Sequence, residues 1–148
     1  MTSGLSPQEV AQRSAEALWA GDTGSRGLGM EVVDVAPGRA TVQMTVREDM
    51  VNGHAIGHGG FTFTLADSAF AFACNSYNRS TVAAACEIRF LAPTRRGDLL
   101  VATAQERSRE GRDGVYDVTV RVGETVVAEL VGHSKEIRGT LFAGAEPA

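Results

Sequence analysis

Val51 to Asn75, VNGHAIGHGGFTFTLADSAFAFACN, is the stretch on which the fold turns. It opens with Gly53-His54 and His58-Gly59-Gly60, then runs as a helix-length series of aromatic, Ala and Thr residues. From Phe61 to Asn75 one side chain is charged, Asp67, set among Leu65, Ala66, Ala69 and Phe70. A carboxylate buried ionised and unpaired is costly, so such a residue is either compensated by the fold or retained for chemistry. The predicted helix, roughly His58 to Tyr77, is apolar nearly all round and must be covered on more than one side.

On the N-terminal side, Ser6-Pro7-Gln8-Glu9 carries a capping-box pattern with Pro at the first helical position. That predicts a helix running to about Trp19 and stopping at Ala20-Gly21. The Gly-rich segment GDTGSRGLG reads as a loop, so residues 1–24 form an N-terminal helix and loop. Met30 to Val35 and Ala40 to Val46, rich in Val and Thr and separated by Ala36-Pro37-Gly38-Arg39, predict a hairpin. Beyond the central helix come strand candidates at Thr81 to Leu91, Asp98 to Arg107, Val115 to Val122 and Thr125 to Ile137, read as a meander. Residues 139–148 are expected to form a flexible tail. The layout is α+β, an antiparallel sheet of about five or six strands wrapped over one long helix, in a single domain spanning residues 1–148. One sheet covers only part of such a helix. Ala66, Ala69, Ala71 and Ala73 would let a second helix approach closely, which favours a dimer with paired helices.

Composition bounds the function. The 148 residues carry 14 basic and 18 acidic side chains, a net charge of −4, which weighs against nucleic acid as a partner. Hydrophobic residues at 43% and charged residues at 22% are globular values, leaving no case for disorder. No apolar run approaches the roughly 20 residues of a membrane span. The N-terminus lacks the pattern of a secretory signal, and the expected location is the cytoplasm. Cys74 and Cys86 lack CxxC spacing and read as reduced thiols. His54, His58 and His133 make no zinc-like pattern, so neither a metal nor a cofactor is expected.

Gly59-Gly60 at a helix start leaves backbone N–H groups free at the positive end of the helix dipole, suited to an oxyanion, a phosphate or a polarised carbonyl. Gly59 and Asp67 are eight residues apart, about 12 Å along one helix. They cannot serve one carbonyl from a single helix. Cooperation requires Asp67 of one subunit to meet Gly59 of another whose helix runs antiparallel, as a two-fold dimer provides.

The segment VNGHAIGHGGFTFTLADSAFAFACN closely resembles the central motif of PaaI-type acyl-CoA thioesterases of phenylacetate catabolism, within the hotdog-fold superfamily. The resemblance continues through VAAACEIRFLAP, GDLLVATAQE and GVYDVTV, covering about residues 25 to 138. It implies a curved antiparallel sheet around a central helix, dimers that commonly pair into tetramers, and CoA bound between subunits. It further implies Asp67 as general base or nucleophile and Gly59 as the residue whose N–H polarises the thioester carbonyl. His58 and Asn52 match the neighbours that orient carbonyl, water or loop, and Gly60 permits close approach of the pantetheine arm. Related thioesterases carry Ser or Thr on the strand after the helix. Here Val82 to Ala85 offers no hydroxyl, leaving Thr81 for that place.

Plainer readings stand beside these. Asp67 also fits a buried structural carboxylate, His58 a helix cap, and Asn52, before Gly53, a turn former. Arg95 and Arg96 in TRRGD suit CoA phosphates or a solvated turn alike. The expected activity is hydrolysis of phenylacetyl-CoA or a ring-hydroxylated derivative to acid and CoA. A hydroxyacyl-thioester dehydratase of the same fold and a non-catalytic acyl-CoA-binding protein are the alternatives. No GxSxG elbow argues for a serine triad.

Overall fold

The computed structural model describes residues 4–143. Helix α1 (Pro7–Gly21) starts at a complete capping box, in which the Glu9 N–H donates to Ser6 Oγ and the Ser6 N–H to Glu9 Oε1, both at 3.1 Å. Its buried face (Val10, Ala11, Ser14) lies against strand β1 (Glu31–Ala36), where Gln8 Nε2 donates to the Val35 carbonyl at 2.8 Å. The Gly-rich segment expected to be loop contains a short helix, α2 (Thr23–Gly27). Its glycines disfavour a helix on propensity alone. Asp22 overrides them as cap, its Oδ1 accepting from the Ser25 N–H at 2.9 Å.

Strands β1 and β2 (Arg39–Thr45) form the predicted hairpin around Pro37-Gly38, with Gly38 at φ +70°. The central helix α3 (Gly59–Cys74) is three residues shorter at its C-terminus than expected. Asn75 ends it, donating from Nδ2 to the carbonyls of Ala71 (2.9 Å) and Thr81 (3.0 Å) and accepting the Thr81 N–H (2.9 Å). These bonds draw the chain away from the helix axis and into strand β3 (Thr81–Phe90).

Strands β4 (Leu99–Glu110), β5 (Asp113–Val122) and β6 (Thr125–Glu136) complete an antiparallel sheet of six strands in the order β1-β2-β4-β5-β6-β3. The expected four-strand meander is therefore only partly right: β4, β5 and β6 follow one another, while β3 sits at the far edge beside β6. The pairing of β2 with β4 is the reason. Ala40, Val42 and Met44 face Ala104, Ala102 and Leu100, and all six are buried beneath α3. Strand β3 has no such alternation. Most of its side chains are exposed, Val82 at 46% and Phe90 at 56%.

Helix α3 seats Leu65, Ala66, Ala69, Phe70 and Phe72 in the core. The Phe70 ring occupies space that only Gly132 of β6 leaves open, since a Cβ there would stand 2.7 Å from the ring. Past β6, Asn78 Oδ1 accepts the N–H groups of Leu141 (2.9 Å) and Phe142 (3.0 Å), so the expected tail is fastened up to that point. Residues 144–148 of that tail lie outside the described residues. No helix among the described residues is long and apolar enough to cross a membrane.

Candidate active site

The loop entering α3 is built by backbone bonds. The Asn52 N–H donates to the Ile56 carbonyl at 2.8 Å and the His58 N–H to the Met50 carbonyl at 2.7 Å. Asn52 Oδ1 accepts from the N–H groups of His54 (2.9 Å) and Ile56 (3.4 Å), an Asx-type turn that folds the loop back on itself. The turn-forming role of Asn52 is thus present in the structure, and the same residue lines the cleft described below. The Gly57 N–H donates to the Thr94 carbonyl at 2.8 Å, and a Cβ at Gly57 would overlap the Thr94 hydroxyl. Only glycine lets this loop lie against the segment after β3.

His58 caps α3. Its Nδ1 accepts the Gly60 N–H at 3.2 Å, which in the neutral imidazole leaves the proton on Nε2, a donor on an exposed ring. The Gly59 N–H, between these two, has no acceptor among the described residues. A Cβ on Gly59 would stand 3.0 Å from the Phe90 ring. Gly59 and Phe90, with Asn52, Thr62, Pro93 and Thr94, wall a cleft of about 410 Å³. A helix N-terminus, a free amide and an apolar wall meet there.

Asp67 lies two turns further along the same helix. It is half-buried and among the described residues has neither an ion-pair partner nor a hydrogen bond to its carboxylate. Burial raises its pKa above the ordinary Asp range, and the nearby Asp22 carboxylate raises it further. Its charge in turn helps push up the thiols of Cys86, on β3, and Cys74, whose pKa stands at about 12 chiefly through burial. Gly60, Thr64, Asp67 and Ala71 follow one another at helical spacing, and none is buried. The chain's own sheet leaves this stripe of α3 only partly covered.

The other predicted residues are dispersed. Thr81 sits at the opposite end of β3 from Phe90, its hydroxyl donating to the Arg79 carbonyl at 2.8 Å, outside the cleft of its own chain. Arg95 and Arg96 lie in the exposed turn that follows Thr94 at the cleft wall. The Arg95 N–H donates to Asp98 Oδ2 at 2.7 Å, and Arg96 reaches Glu48 at 3.6 Å. Sequence reasoning missed Gly57, Phe90, Pro93 and Thr94 as wall residues. A third glycine in IGHGG was the available signal, but the partner it makes room for is distant in sequence.

Six antiparallel strands curved round a helix whose N-terminal amide opens into a cleft form a hotdog fold, and the comparisons with known proteins make it one of the thioester hydrolases. The family model described as the thioesterase superfamily matches residues 54–129, and the chain belongs to that family. It is 44% identical over 132 residues to the acyl-coenzyme A thioesterase PaaI of Escherichia coli, across 88% of this chain and 94% of that protein. The solved structure of the E. coli PaaI protein from the phenylacetic acid degradation operon superposes with a TM-score of 0.89 at 43% identity, over 91% of this chain and 99% of that one. A point mutant of the phenylacetic acid degradation protein PaaI of Thermus thermophilus superposes with a TM-score of 0.74 at 35% identity, over 76% and 97% of the two chains.

Proposed function

We propose that this protein is an acyl-CoA thioesterase hydrolysing phenylacetyl-CoA, or its ring-hydroxylated relatives, to the free acid and CoA, at a site shared between two subunits. One observation carries the proposal. The partly covered stripe of α3 holds Asp67, whose carboxylate has no partner among the described residues, and Gly59 at the head of the same helix has an amide with no acceptor among them; the two are too far apart along one helix to act together. A second α3 packed antiparallel on that stripe brings Asp67 against Gly59 of the partner subunit, twice over. The exposed β3 edge, with Val82 and Phe90 open, supports an edge-to-edge dimer, because a long uncovered apolar edge invites pairing. Tetramers would follow by pairing of such dimers. The aryl preference is supported by the 44% identical relative and the phenylacetic acid degradation context of the matched structures.

The chemistry needs little apparatus. A thioester carbonyl is electrophilic and its thiolate leaves readily. The Gly59 N–H stabilises negative charge on the carbonyl oxygen, with His58 Nε2–H available beside it. Asp67, ionised, either removes a proton from the attacking water or attacks the carbonyl carbon itself. In the first route water forms the new C–O bond as the C–S bond breaks and CoA leaves as the thiol. In the second the C–S bond breaks as an Asp67–acyl anhydride forms, and water then cleaves that anhydride, freeing the acid and restoring the carboxylate. Gly60 leaves room for the pantetheine arm. Arg95 and Arg96 meet the CoA phosphates, because the exposed Arg96–Glu48 pair is weak enough to exchange. A panel of acyl-CoA substrates with free CoA detected, beside a light-scattering mass, tests this. Phenylacetyl-CoA should be preferred, and absence of turnover on every thioester would overturn the proposal.

A further inference from the structure

We infer that Asp22, at the elbow between α1 and α2, is a positioning residue for Asp67: the elbow pins the turn of α3 that carries the carboxylate and keeps a second negative charge beside it. The inference rests on the assignment of Asp67 proposed above. Its geometric basis is a chain of hydroxyls. Ser25 Oγ lies 2.6 Å from Asp22 Oδ2 and 2.8 Å from Ser68 Oγ. Ser25 and Ser68 are 4% and 8% exposed, so both side chains are largely withdrawn from water. An ionised carboxylate accepts only, so Ser25 spends its single proton on Asp22. Ser68 must therefore donate to Ser25. The chain has one direction, Ser68 to Ser25 to Asp22, and ends on a charge that strengthens each link. Ser68 follows Asp67 directly, so this bolt sets the rotation of α3 at that turn.

The charge acts as well as the bolt. Among the described residues, the ionisable groups that interact with Asp67 are Asp22 from the elbow, Cys74 from α3 itself and Cys86 from β3. Burial and the charge of Asp67 hold both thiols in the neutral form. The charge next to Asp67 within its own chain is that of Asp22, and like charges favour the protonated acid. A carboxylate held above its ordinary range is a stronger base, closer to the pH at which it works.

Asp22→Asn keeps an oxygen to cap α2 but deletes the charge. With phenylacetyl-CoA as probe, the acid limb of kcat/KM should move to lower pH and the plateau should fall a few-fold, as expected of a weakened base. Ser68→Ala cuts the bolt and keeps the charge, so kcat should fall with the acid limb in place. If Asp22→Asn is poorly folded, Asp22→Ser supplies another neutral N-cap and the same shift is expected. A folded neutral variant whose profile overlays the wild type would overturn the inference. Asp67→Asn in the same assay separates the two claims. An inactive Asp67→Asn beside an unshifted Asp22→Asn removes only the role of Asp22, whereas an active Asp67→Asn removes both.

Discussion

The two ends of α3 are built to opposite rules. At the C-terminal end the polar groups converge on one another: Asn75 serves Ala71 and Thr81, Ser76 Oγ donates to the Ala73 carbonyl (2.7 Å) and accepts the Gly38 N–H (2.8 Å), and the hydroxyls of Tyr77 (2.9 Å) and Tyr116 (3.0 Å) both donate to Glu106 Oε1. Burial and the Glu106 contacts push the Tyr77 phenol up to about 12. At the N-terminal end and along the adjoining stripe, the Gly59 amide and the Asp67 carboxylate stay unpartnered within the described chain. Satisfied groups hold a fold, and unsatisfied ones wait for a ligand or a second subunit.

Substitutions at the two ends should therefore separate rate from stability. Asp67→Asn should lower kcat with phenylacetyl-CoA by about 10²- to 10⁴-fold, the range of a lost general base, while light scattering shows the assembly unchanged. Gly59→Pro deletes the amide donor and should cost about 10²- to 10³-fold in kcat. Asn75→Ala reverses the pattern. Denaturant titration should show a loss of about 2–3 kcal/mol from its unmade bonds, with kcat per folded molecule preserved. Tyr116→Phe removes one bond to Glu106 and should cost about 1 kcal/mol in the same titration.

Acidity sharpens the contrast. Asp67 must be ionised to act and its pKa is raised, so kcat/KM should fall on the acid side at a pH above the ordinary Asp range. The same shift makes the ionised form a burden on the folded chain. That burden is absent below about pH 4, where Asp is protonated folded or unfolded, and grows as pH rises through the raised pKa. Asp67→Asn should thus raise Tm at pH 7 and leave it unchanged at pH 3. A Tm lowered at pH 7 would mean that the carboxylate has a stabilising partner in the assembled protein.

How much of this was legible depended on distance along the chain. The capping box at Ser6, the β1–β2 hairpin and Asp67 as a lone acid on an apolar helix all rest on neighbours a few residues apart. Strand order did not. TVAAACEIRF shows blurred alternation because both faces of β3 are largely uncovered, and nothing local says that it pairs with β6 rather than β4. Helix α2 escaped notice because two glycines in five residues outweigh a single Asp cap on propensity, while the buried Ser25–Ser68 contact that favours it joins residues 43 apart. The cleft wall was hidden for the same reason. Phe90 and Thr94 meet Gly59 and Gly57 only after the sheet has formed.

Mixing two dead subunits tests the shared site most directly. In a heterodimer of Asp67→Asn with Gly59→Pro, one site would regain both native groups and the other would lose both. Random reassociation of equal amounts should then restore about a quarter of native activity on phenylacetyl-CoA. If Asp67 and Gly59 instead acted within one subunit, no combination would repair a site, and a mixture as inactive as its components would contradict the account.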